Sequence, residues 1–94
     1  MTHIGMLTIE LSLGEGSSLK DKRHVIKSAL DMIRHKFNVS AAEVDHLDSL
    51  RRAELAFSAV SNSQQLVNAM LDKVMEVFES DPRVDIIDSR LKFL

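Results

Sequence analysis

The sequence predicts an α+β fold with four strands and two helices in the order β-α-β-β-α-β. Three observations lead there. Long runs near each third of the chain alternate apolar and polar residues, two intervening runs repeat apolar residues every three to four positions, and 94 residues with 45% hydrophobic content suit one modest core. No linker, repeat or low-complexity stretch interrupts the chain, so residues 1–94 read as a single domain.

The first strand runs from His3 to Leu13, with Leu7, Ile9, Leu11 and Leu13 on one side and Met6, Thr8, Glu10 and Ser12 on the other. Gly14, Gly16, Ser17 and Ser18 break that alternation, and Ser18 with Asp21 three positions later forms an N-cap with an acidic partner in the first turn. A helix from Leu19 to Phe37 follows, carrying Ile26, Ala29, Leu30, Ile33 and Phe37 on one stripe. Val39 to Val44 reads as a second strand, blurred by Ala41 and Ala42, and Asp45 to Ser49 as a polar turn. Arg52 to Ser61 is a third strand with Ala53, Leu55, Phe57 and Ala59 on one face, forming a hairpin with the second. Asn62 or Ser63 caps a second helix whose Leu66, Val67, Met70, Leu71, Val74, Val77 and Phe78 keep the 3.6 period until Ser80-Asp81-Pro82 ends it. Val84, Ile86, Ile87, Leu91, Phe93 and Leu94 supply the last strand. The apolar phase slips between Ile86 and Ile87, which indicates a bulge or an unpaired end. All four Phe residues are expected in the core. The order is the split βαβ pattern of the ferredoxin-like sandwich, with two helices on one face of a four-stranded antiparallel sheet.

Composition narrows the function classes. The absence of Cys removes disulfides, thiol nucleophiles and zinc knuckles. No apolar run approaches the roughly 20 residues of a membrane span, and the first strand lacks a basic leader, so a cytoplasmic protein that does not engage a membrane is expected. No Ser-His-Asp layout, Walker loop or dinucleotide fingerprint is present, and Gly14-Glu15-Gly16 is too short to cradle a pyrophosphate. The expectation is a non-enzyme with no cofactor and no small-molecule substrate.

Charge is uneven. The first helix carries Lys20, Lys22, Arg23, Lys27, Arg34 and Lys36 against Asp21 and Asp31, a net of +4 in a chain of net −2. Lys20, Arg23, Lys27 and Arg34, spaced by three, four and seven, form a strip able to meet phosphates. Lys20, Lys22, Arg23, Lys27 and Arg34 are therefore the candidate residues for RNA or anion binding, assisted by the helix start beside Gly16, Ser17 and Ser18. A solvated helix face is the competing reading. The acidic pI near 6.0 argues against nonspecific duplex binding, and with neither Tyr nor Trp the sheet lacks an evident base-stacking platform.

Two further surfaces stand out. Glu43, Asp45, His46, Asp48 and Glu54 bracket the hairpin turn, where they could form a weak metal or acid–base site; Arg51 and Arg52 pairing with Glu54 or Asp48 is the structural alternative. On the uncovered sheet face, Ile4, Met6, Thr8, Ala56, Ser58 and Val60 are small or apolar, which suits a homodimer through Met6, Thr8, Ala56 and Ser58.

Several ordered blocks carry a resemblance: Ser18-Leu19-Lys20-Asp21-Lys22-Arg23, Phe37-Asn38-Val39-Ser40, Glu43-Val44-Asp45-His46, Arg52-Ala53-Glu54-Leu55 and Ala59-Val60-Ser61-Asn62. Together they resemble the YlxP-like family of small bacterial proteins. The resemblance implies a ferredoxin-like domain whose genes commonly adjoin those of translation initiation factor two and ribosome-binding factor A, and hence a role in translation or ribosome maturation with RNA or a ribosomal particle as partner. It transfers no catalytic residues. Many relatives carry a Trp near the position of Leu50, and its absence here removes an aromatic that could stack on a base.

Overall fold

A computed structural model of the chain describes residues 1–14 and 18–94. Its elements are β1 (His3–Leu13), α1 (Leu19–Lys36), β2 (Ser40–Asp45), β3 (Arg52–Ser61), α2 (Gln64–Glu79) and β4 (Val84–Phe93). The strands form one antiparallel sheet in the order β2-β3-β1-β4. β3 lies between β1 and β2, the split βαβ arrangement the alternation and helical periods predict.

Strand alternation decides which face the helices cover. Leu7, Ile9, Leu11 and Leu13 of β1 and Ala53, Leu55, Phe57 and Ala59 of β3 are buried, while their neighbours in sequence are not. Against this face α1 lays Ile26, Ala29, Leu30 and Ile33, and α2 lays Val67, Leu71, Val74 and Phe78. The rings of Phe57 and Phe78 meet at 5.7 Å between centroids. Burying each Val, Leu, Ile or Phe side chain contributes about 1.5–3 kcal/mol, which makes these two layers the source of the fold's stability. β1 passes so close beneath α2 at Gly5 that a Cβ there would lie 2.6 Å from Val67 Cγ1 and 3.0 Å from Leu71 Cδ1.

The helix ends follow their sequence signals. Ser18 Oγ accepts the Asp21 N–H at 3.1 Å and the Asp21 carboxylate accepts the Ser18 N–H at 3.2 Å, a complete capping box. The Ser18 N–H on the carboxylate, and next the Ser18 side chain, hold the Asp21 carboxyl below its ordinary pKa. Phe37 is the C-cap of α1 rather than its last residue, and Ser63 caps α2 by accepting the Leu66 N–H. Glu15, Gly16 and Ser17 lie outside the described residues, and with them most of the anion site expected at the start of α1.

The phase slip in the last strand is a bulge. Glu10 pairs with Asp88 and Leu11 with Ile86, leaving Ile87 as the extra residue. A second irregularity, not foreseen, leaves Val44 extra between the pairs Glu43–Leu55 and Asp45–Glu54. The expectation that every Phe lies in the core fails at Phe93, which is 36% exposed because α2 packs chiefly over β1 and β3.

Candidate functional site

α1 divides into an inner stripe and an outer charged face, and the division does not follow residue type. Lys22 is fully buried, which corrects its place among the candidate RNA- or anion-binding residues. The reason is visible in the helical spacing: Lys22 stands four residues before Ile26, on the same stripe as Ala29, Leu30 and Ile33. Its Nζ donates to the carbonyls of His46 at 2.7 Å and Leu47 at 3.3 Å and lies 2.8 Å from Glu43 Oε2. That carboxylate oxygen is buried and makes no hydrogen bond of regular geometry, so Lys22 serves it as a counter-charge. Lys22 thereby fastens the start of α1 to the turn between β2 and β3.

The turn is shaped to receive it. His46 adopts the left-handed conformation, φ 60°, supported by the Asp45 carboxylate, which accepts the His46 N–H at 2.7 Å. The His46 carbonyl then accepts both the Lys22 ammonium and the Ser49 N–H. Ser49 Oγ accepts the N–H groups of Arg51 and Arg52 at the entry to β3.

The other four predicted cations are exposed. Lys20, Arg23, Lys27 and Arg34 lie on the outer face of α1 with Lys36, His24 and His35. Their partners are loose or local. Arg23 lies 3.8 Å from Asp48, Lys27 pairs with Asp31 at 2.8 Å one turn on, and Arg34 lies 3.5 Å from the same Asp31. The Lys27 hydrogen bond, with the charges of Lys27 and Arg34, holds the Asp31 carboxyl below its ordinary pKa. Arg34 also donates to the Ala41 carbonyl of β2. Exposed ion pairs of this kind are weak and screened by salt, so a phosphate can exchange with them at little cost. Excluding Lys22, this outer face keeps a net charge of +3 from Lys20, Arg23, Lys27, Arg34 and Lys36 against Asp21 and Asp31.

The acidic and histidine residues of the hairpin are distributed among separate partners. Glu43 meets Lys22, Asp45 supports the turn, and Asp48 faces Arg23. His46 Nε2 lies 3.5 Å from Glu10, which also accepts Arg52. Glu54 pairs with Arg90 of β4 at 3.6 Å. Arg52 thus finds Glu10 across the sheet instead of the expected Glu54 or Asp48, because the register sets Arg52 opposite Ser12 and diagonal to Glu10 on the same face, within reach of a long side chain. Among the described residues, no three His, Asp or Glu side chains are grouped to hold a metal ion.

Met6, Ala42, Ala56 and Ser58 line a shallow hollow of about 210 Å³ on the uncovered sheet face with Ser40. Glu10, Arg52, Glu54 and Arg90 crowd the same face with ion pairs. A larger cleft of about 980 Å³ lies between the C-terminal end of α1 and α2, with Phe37, Val60, Leu66, Met70 and Val77 on its walls. The sequence did not reveal it, since no spacing rule relates Phe37 to α2. No described helix is long and apolar enough to cross a membrane.

Fold and site define a small open-faced α+β sandwich with a cationic outer helix. The chain belongs to the DUF503 family of proteins of unknown function, whose profile matches residues 4–91. It is 33% identical over 82 residues to the uncharacterized protein YlxP of Bacillus subtilis (strain 168), covering 87% of this chain and 89% of that protein.

Proposed function

We propose that the protein is a non-enzymatic, cytoplasmic accessory factor of translation or ribosome maturation that docks on RNA of a ribosomal particle through the outer face of α1. The observation that carries this reading is the cationic strip of Lys20, Arg23, Lys27 and Arg34, exposed along one helix of a chain whose overall charge is negative. A local strip on an acidic body favours a shaped, oriented contact over indiscriminate coating of nucleic acid. The gene neighbourhood implied by the YlxP-like resemblance points to the same setting. Lys22 takes no part in the contact; it holds the helix in place.

The test is sedimentation of a lysate containing tagged protein through sucrose gradients at low and high salt. Cosedimentation with a ribosomal subunit, lost at high salt, is the expected result. Protein that stays at the top of the gradient at both salt concentrations refutes stable association with the particle.

A further inference from the structure

The sheet has two edges, β2 and β4, and an edge strand presents a row of unpaired backbone N–H and C=O groups. β2 is six residues long and is broken by its irregularity at Val44. β4 is ten residues long, and Asp88–Phe93 pairs with β1 without interruption. On the side that carries the helices, Ser89, Leu91 and Phe93 stand opposite Ile9, Leu7 and Gly5. Yet Leu91 is 42% exposed, and Ile87, at the bulge, is 47% exposed. This edge therefore joins free backbone groups to an uncovered apolar row.

We propose that two copies of the chain pair antiparallel through β4, about a two-fold axis at Ser89, to make one continuous eight-stranded sheet. The register follows from symmetry and charge. Residues directly opposite in an antiparallel pair share a face, so a symmetric pairing centres on a residue. Centring on Leu91 sets Arg90 against Lys92 of the partner subunit twice over. Centring on Arg90 sets that guanidinium against its own copy. Centring on Ser89 sets Asp88 against Arg90 of the partner subunit and Arg90 against the partner's Asp88, with Ile87 opposite the partner's Leu91. This last register has no like-charge pair, and opposite charges facing across a strand pair stabilise it.

Within one copy, Arg90 reaches Asp88 at 3.5 Å and Glu54 at 3.6 Å, and its side chain is 63% exposed. These long contacts leave the guanidinium able to take a second carboxylate. Charges on an edge strand usually discourage pairing; here their order rejects the neighbouring registers and accepts one. α1 packs on β2 at the opposite edge, so the pairing leaves its outer face free.

The absence of Cys allows a direct test. Under mild oxidation Ser89→Cys should form a disulfide-linked dimer in high yield, because the axis brings the two Cβ atoms near disulfide distance. Lys92→Cys and, on the uncovered sheet face, Thr8→Cys should not. Sedimentation equilibrium of the unmodified chain should give twice the 10.6 kDa chain mass. Asp88→Arg should weaken the dimer by about tenfold or more, and Asp88→Arg with Arg90→Asp should restore it, circular dichroism confirming that each variant is folded. A monomer at near-millimolar concentration, or cross-linking through Thr8→Cys in place of Ser89→Cys, would overturn the proposal.

Discussion

Replacing Lys22 by Met should unfasten the hairpin from α1 while keeping the volume of the side chain. The variant loses two hydrogen bonds to the His46 and Leu47 carbonyls and leaves the buried Glu43 oxygen without its counter-charge. Removing one member of a buried ion pair costs about 3–5 kcal/mol. The Glu43 side chain is 16% exposed, so water reaches it and the loss should fall to about 2–4 kcal/mol. For a domain near this size 1 kcal/mol corresponds to about 4–8 °C, so the Tm should drop by about 8–32 °C. Urea and thermal unfolding measure both. Adding Glu43→Leu should recover most of the loss, because two apolar side chains leave no orphaned charge, and Glu43→Gln alone should cost less than Lys22→Met. A Lys22→Met protein within about 0.5 kcal/mol of the original, the range of ordinary surface substitutions, would refute the strut.

Gly5→Ala places a methyl group 2.6 Å from Val67 Cγ1, and the resulting overpacking between β1 and α2 should cost about 1–3 kcal/mol in urea unfolding. Asp81 accepts two side-chain hydrogen bonds and one backbone hydrogen bond from Arg83, chiefly the side-chain ones holding its carboxyl below the ordinary value of 3.8. Since the folded state holds this proton less tightly than the unfolded one, the stabilisation is complete above the unfolded value and is lost as pH falls from there through the folded value. Asp81→Asn should therefore lower stability at neutral pH and flatten its decline in acid; an unchanged acid limb of the stability curve would contradict the pairing. Arg34→Met removes the contact with the Ala41 carbonyl and should cost about 1 kcal/mol by the same unfolding measurement.

The fold was legible because its signals are local and redundant. Alternation places Leu7 to Leu13 and Ala53 to Ala59, the Ser18–Asp21 box starts α1, and the doubled Ile86-Ile87 marks the bulge. The site was only partly legible. Four of the five candidate cations of α1 stand at the surface, but Lys22, a candidate by its charge, lies four residues before Ile26 and so on the buried stripe. Its partners, two carbonyls and Glu43, are 21 to 25 residues away in sequence, and nothing local announces them. The pairing of Arg52 with Glu10 depends likewise on the register between β1 and β3, which residue spacing along one strand does not contain. Phe93 shows the converse limit: its residue type suggests burial, while the placement of α2 leaves it uncovered.

The outer face of α1 is the centre of the functional account, and a salt titration of binding to purified ribosomal subunits tests it most directly. Log affinity should fall linearly with log salt, and Arg23→Gln and Lys27→Gln should each reduce the slope by about 0.7–0.9, the value of one lost phosphate contact. Arg23→Glu with Lys27→Glu should abolish binding while leaving the Tm nearly unchanged, and Lys22→Met should do the reverse at a temperature where it remains folded. Binding that survives the double charge reversal, or a salt slope that no α1 substitution alters, would contradict the account.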